Sequence, residues 1–143
     1  MRRELKTRLR TGLQADATRV ALREAAGAST YEIVRRADSA VIGEVKCRAD
    51  DPARGWVTVV CVDVGEEQRG WGYGSEAVRL LEAEAEAEAG RFRADVDAGN
   101  GLGLYFWLRL GYRPARPGEV LGRPSRGIIT MVRTGTQNLG RRT

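Results

Sequence analysis

Histidine is absent from this sequence. That excludes a serine–histidine triad, a cysteine–histidine pair and every histidine-based zinc site. Proton transfer must then use a carboxylate, a tyrosine, a lysine, a thiol, water or the substrate itself, and no metal is expected. Cysteine is scarce: only Cys47 and Cys61 occur. Both lie in apolar, strand-like segments that can be neighbours. The expectation is reduced, buried thiols rather than a disulfide, as in a cytoplasmic protein. No stretch approaches the roughly 20 apolar residues that cross a bilayer, so no membrane partner is expected. The start, Met1-Arg2-Arg3-Glu4-Leu5-Lys6, has no apolar run behind it and does not read as a signal peptide.

What is present describes a globular chain. Of 143 residues, 42% are hydrophobic and 30% charged, which suits one domain. That domain is expected over 1–133, with a loose polar tail over 134–143. The net charge of +5 is uneven: eight arginines and one acid, Glu119, follow Tyr105. A basic end attracts nucleic acid, nucleotide phosphates or an acidic protein. It also arises from an arginine-rich genome, since arginine far outnumbers lysine.

Periodicity orders the elements. Leu5–Arg10 reads as an edge strand. Leu13–Ala26 carries Leu13, Ala17, Val20, Ala21 and Ala25 near helical spacing, with Gly27 as a stop signal. Strand-like runs follow at Thr30–Arg36, Ala40–Arg48 and Trp56–Val64. The last two flank turn chemistry at Asp50–Gly55 and read as an antiparallel hairpin. Trp56–Val64 is apolar on both faces until Asp63, which suits a strand covered on both sides. Ser75–Ala89 reads as a helix with an apolar stripe. Its Glu-Ala alternation has period two, but both residues favour helices and disfavour strands. Arg91–Val96 is a strand, Asn100–Leu110 a helix stopped at Gly111, and Tyr112–Ala115 and Gly127–Arg133 are closing strands. The expected fold is a mixed α/β sheet in one domain.

The strongest feature is Val62-Asp63-Val64 followed by Arg69-Gly70-Trp71-Gly72-Tyr73-Gly74-Ser75 and a helix. A strand that enters a helix through a glycine-rich turn leaves backbone N–H groups unpaired at the helix start. Those donors and the helix dipole form an anion site, suited to a pyrophosphate. The alternative is a tight packing turn. Gly-Lys-Ser/Thr is missing, so this is no P-loop. Gly72–Ala77 formally fits Gly-x-Gly-x-x-Ala, but the strand comes too late in the chain and an acidic loop intervenes, unlike a dinucleotide fold.

These residues resemble the GCN5-related N-acetyltransferase superfamily. Its Arg/Gln-x-x-Gly-x-Gly/Ala signature is matched by Arg69, Gly72 and Gly74, and its lead-in by Val62 and Val64. A second motif, Asn-x-x-Ala-x-x-x-Tyr-x-x-x-Gly-Phe, is matched by Asn100, a small residue at Gly103, Gly111 and aromatic Tyr112. Gly127–Arg133 resembles the last strand of the family. The resemblance implies a mostly antiparallel sheet whose two central parallel strands splay apart, flanked by helices. It implies acetyl-CoA as acyl donor, with its pyrophosphate on the amides of Gly70, Trp71, Gly72, Tyr73, Gly74 and Ser75. The pantetheine arm would lie against Val62 and Val64 and touch Asn100. The acetyl group would sit at the splay, where an acceptor amine on a small molecule or protein attacks it directly. The habits of the family suggest a homodimer.

The chain departs from the pattern at two points. The tyrosine that protonates the leaving thiolate falls at Trp107, whose indole donates but has no useful acidity; Trp107 is then expected to pack on the cofactor. The strand glutamate of histone acetyltransferases falls at Thr58. Ala94-Asp95-Val96-Asp97-Ala98-Gly99-Asn100 instead places Asp95 where acetyltransferases of ribosomal-protein N-termini carry a glutamate. Asp95 is therefore the candidate base, with Asp63 and Glu44 as weaker ones and Cys61 disfavoured as a nucleophile. A non-catalytic acyl-CoA sensor is the alternative function. The acceptor side is assigned to the segment before Ala40 and the loop Pro114–Arg126.

Overall fold

The computed structural model describes residues 18–25, 27, 29–86, 89–120, 122 and 125–134. Among the described residues, seven strands form one sheet: β1 Val20–Glu24, β2 Thr30–Arg35, β3 Ala40–Ala49, β4 Trp56–Val64, β5 Arg91–Asp97, β6 Arg113–Pro114 and β7 Ile128–Thr134. Helices α1 Tyr73–Ala85 and α2 Gly101–Arg109 follow β4 and β5. The spatial order is β1-β2-β3-β4-β5-β7-β6. Every neighbouring pair is antiparallel except β4 and β5, which run parallel. The expected mixed sheet and hairpin β3–β4 are present.

The N-terminal helix expected over Leu13–Ala26 is not formed where it can be seen: Val20–Glu24 is an edge strand paired with β2, Ala21 opposite Val34 and Leu22 opposite Ile33. The apolar residues stand at helical spacing, but pairing with β2 and full burial of Val20 outweigh weak propensity. Gly27, at φ +98°, serves the β1–β2 turn instead of ending a helix. The edge strand expected at Leu5–Arg10 and the tail after 134 lie outside the described residues.

Strand β4 also differs from expectation. Trp56, Val57, Thr58 and Val59 are buried, but Val60 is 46% exposed and Asp63 is exposed. The cause is a parting of strands. β5 pairs with β4 only at Trp56–Arg91, Val57–Phe92 and Thr58–Arg93. Against β3 the register slips where Lys46 faces Cys61 and Cys47 faces Val59, so Val60 is the extra residue of a bulge. From Val59 onward, β4 therefore lacks a strand partner on its β5 side.

One core lies between the sheet and the helices, with Val57, Val59, Phe92, Ala94 and Val96 from the sheet and Ala77, Val78, Leu81, Trp107 and Leu110 from the helical side. Each large aliphatic or aromatic side chain removed from water there contributes about 1.5–3 kcal/mol. A polar knot is buried alongside. The Tyr112 hydroxyl donates to Glu82 Oε2 at 2.7 Å, and Arg133 Nη1 lies 3.4 Å from Glu82 Oε1. Burial pushes the Glu82 carboxyl up, against the Tyr112 bond and the arginine charge. Tyr112→Phe strands one carboxylate oxygen of Glu82 without a donor. It is expected to destabilise the fold by about 2 kcal/mol and lower Tm by about 5–10 °C in a thermal melt.

Candidate active site

The glycine turn joins the open end of β4 to α1. Gly70 and Gly72 have φ of +87° and +84°, a left-handed backbone that side chains resist. Gly72 is the N-cap of α1 and gives no side-chain cap; the first intrahelical bond is Glu76 N–H to Gly72 O at 3.1 Å. The N–H groups of Tyr73, Gly74 and Ser75 thus meet no helical acceptor and point out of the helix start. Gly74 differs. A Cβ there would meet Phe106, Val64 and Val62 at 3.5–3.6 Å, an ordinary contact distance, so the site has room for one. Val62 and Val64 therefore direct their side chains at the helix start. Gly43, opposite Val64, is demanded by sterics: a Cβ would lie 2.2 Å from the Asp63 carbonyl oxygen.

Arginines brace this turn. Arg69 Nε donates to Val64 O at 2.9 Å and folds the loop back on β4. Arg35 donates to Gln68 Oε1 at 2.7 Å. Arg19, just before β1, donates to Trp71 O at 2.9 Å, pairs with Glu76 at 2.5 Å and lies 4.7 Å over the Tyr73 ring. Neither Arg19 nor Arg35 was singled out from sequence. Their roles depend on which strand lies beside the helix, and no local motif encodes that. Trp71 remains 64% exposed on the turn.

The second motif divides in a way its spacing does not reveal. Asn100 caps α2, its Oδ1 accepting from Gly103 N at 2.8 Å. A Cβ at Gly103 would lie 2.5 Å from Asn100 Nδ2, so the capping side chain would have to shift to admit one. Trp107 is 8% exposed and packs edge-on against Phe106 and Tyr112, with ring centroids 5.0 and 4.7 Å away. Phe106, not singled out from sequence, is the α2 side chain beside Gly74. None of the four tyrosines replaces the expected acid at the splay: Tyr31 and Tyr112 are buried, Tyr73 lies under Arg19, and Tyr105 is 59% exposed beside Arg109.

Asp95 lies on β5 two residues past the last β4 contact, on the sheet face away from Phe92 and Ala94. Arg93 Nη2 donates to its Oδ2 at 2.9 Å and the Thr130 hydroxyl to its Oδ1 at 2.8 Å. Thr58, at the expected glutamate position, donates to Asp51 O at 2.7 Å and serves structure. Asp63 and Glu44 face each other across β4 and β3. Cys47 and Cys61 are free thiols. Burial pushes Cys47 up to about 12 and raises Cys61, helped by Asp63 and Glu44, so neither is an activated nucleophile. Beside Asp95, a cleft of about 530 Å³ runs under the β6–β7 connection. That connection is pinned by Arg113 to Glu119, at 2.8 and 2.5 Å, with Arg116 N–H adding a bond at 2.9 Å.

The sheet's parallel pair opens beside a glycine-capped helix. The acetyltransferase (GNAT) family model matches residues 3–112, and the chain belongs to that family. It is similar to an acetyltransferase from Thermus thermophilus at 18% identity and TM-score 0.61, covering 73% of this chain and 62% of that one. It is also similar to a GNAT acetyltransferase from Elizabethkingia anophelis with acetyl-CoA bound, at 13% identity and TM-score 0.59, covering 73% and 74%. A third is Arabidopsis thaliana Naa50 with the bisubstrate analogue CoA-Ac-MVNAL, at 15% identity and TM-score 0.56, covering 73% and 71%. The chain thus spans about 62% of the Thermus enzyme's length. No curated protein matches this sequence. Among the described residues, no helix is long and apolar enough to cross a membrane, and no three potential ligand side chains gather around a metal position.

Two substitutions separate the roles of the glycines. Gly72→Ala forces a left-handed alanine and places its Cβ 3.3 Å from Arg19. Calorimetry should show CoA affinity falling at least tenfold, whereas Gly74→Ala retains it. The β6–β7 connection carries a pH dependence. Arg113 holds the Glu119 carboxyl down at about 2 from its ordinary 4.5. A lowered folded pKa stabilises above the unfolded value and is lost on acidification, so this tie should weaken as pH falls from 4.5 towards 2. Carboxyl NMR of Glu119, with hydrogen exchange in the connection, checks this.

Proposed function

We propose that the chain is an acetyl-CoA-dependent N-acetyltransferase working by direct attack of an acceptor amine, its catalytic domain extending over 1–133. The observation that carries the reading is the junction of two features: unpaired N–H donors at the start of α1 and an unpaired edge of β4 beyond Thr58. The first suits a pyrophosphate and the second an extended amide-bearing arm, which pairs with a strand edge as another strand would.

In this reading the amides from Gly70 to Ser75 hold the pyrophosphate, Trp71 flanks it, and Val62 and Val64 line the arm. Arg69 and Arg19 position the turn. Asn100 and Trp107 act indirectly, by capping and packing the helix that puts Phe106 against the arm. Acetyl-CoA supplies an activated acyl carbon. The amine lone pair attacks that carbon, the C–N bond forms, and the C–S bond breaks with its electron pair going to sulfur. Asp95 takes the ammonium proton directly or through water. With no tyrosine at the splay, the thiolate takes its proton from solvent.

The same lack of an acid favours the second reading, an acyl-CoA-binding sensor. Asp95→Asn decides between them. A transferase should lose about 10²-fold or more in kcat, followed by free-thiol release, with acetyl-CoA affinity unchanged. Acetyl-CoA binding without thiol release from the parent protein, across a panel of amines, would establish the sensor. Absence of acetyl-CoA binding by calorimetry would remove both.

A further inference from the structure

The cleft beside Asp95 has a chemical character that the donor site does not account for. Its walls are apolar, from Pro114, Val120 and Ile129, and its polar groups are Arg93, Arg116 and Thr130. No acid lines it. The nearest carboxylates are already engaged, Asp95 by Arg93 and Thr130 and Glu119 by the bidentate fork of Arg113. Arg116 is exposed and, among the described residues, makes no ion pair, although its charge helps hold Glu119 ionised. Its backbone is fixed by the N–H bond to Glu119, so its place at the rim is set by the pinned connection. The cleft thus has apolar sides, Arg116 among its lining residues, and Asp95 just outside it, bonded to the lining residues Arg93 and Thr130.

We propose that the acceptor is a zwitterion of amino-acid type: its ammonium sits by Asp95, its carboxylate is held by Arg116, and an apolar side chain fills the cleft. This rests on the acetyltransferase reading. A guanidinium fork recognises planar carboxylates in a bidentate manner. The volume is within the range of pockets that enclose small molecules, and leaving either charge of a zwitterion unpaired there would be unfavourable. The amine nitrogen is acetylated, so the product keeps its carboxylate and loses its positive charge.

Calorimetric titration of the CoA-loaded protein with matched pairs tests this without depending on turnover. Leucine is compared with 3-methylbutylamine, and phenylalanine with 2-phenylethylamine; each amine is the amino acid without its carboxylate. At least one amino acid should bind about tenfold more tightly than its amine or better. Arg116→Ala should erase that difference while acetyl-CoA affinity is retained, which also shows that the variant is folded. Equal binding within both pairs, or a preference that survives Arg116→Ala, would overturn the assignment. So would O-phosphoethanolamine binding more tightly than either amino acid. The two readings fail separately: thiol release from acetyl-CoA with no carboxylate preference removes only the zwitterion. Arg116-dependent binding of an amino acid without thiol release removes only the transferase.

Discussion

The parting of β4 from β5 after the Thr58–Arg93 pair is the constraint on which the site depends. Up to that pair, the sheet is continuous and its centre buried. Beyond it, the bulge at Val60 turns β4 while β5 stays paired with β7, and among the described residues β4 has no strand partner on its β5 side. An unpaired strand edge inside a protein is normally covered or blunted. Here it lies beside a helix start whose first N–H groups also meet no helical acceptor, so two backbone deficits adjoin. The core beneath holds the gap open, because Phe92, Ala94 and Val96 anchor β5 from one side while Val57 and Val59 anchor β4.

Much of this could be read from the chain because it is written in local backbone chemistry. Gly70 and Gly72 mark the turn since both take a left-handed backbone that side chains resist, while Gly74 has room for a Cβ. The spacing from Asn100 to Gly103 was equally visible, although its physical content is a helix cap. What could not be read depends on tertiary pairing. The residues Val20–Glu24 carry a helical pattern and become a strand because β2 offers an edge. The point where β4 and β5 separate is a matter of register, and Val60, exposed at the bulge, looks in sequence like any valine of an apolar run. Phe106 was passed over for its neighbour Trp107 because the motif fixes a position in sequence and not the face of the helix that meets the gap.

The two faces of the sheet divide the chemistry. The helical face supplies the core and the glycine turn. The opposite face carries Arg93 and Asp95 and opens into the cleft under the β6–β7 connection. The splay lies between them, so groups arriving from opposite sides meet at one opening. A β5 strand of strict alternation, buried at Phe92, Ala94 and Val96 and polar at Arg93, Asp95 and Asp97, is what allows one segment to serve both sides.

Arg19 ties an edge strand to the glycine turn through Trp71, Tyr73 and Glu76. Edge strands are the part of a sheet that opens most readily. When β1 detaches, the turn loses its brace, and whatever the turn holds is held less well. By thermodynamic reciprocity, an occupant of the turn must then secure β1 by the same free energy. The first strand of the sheet thus becomes a reporter of occupancy at a helix start more than fifty residues away in sequence, and its amide exchange should slow when the donor binds.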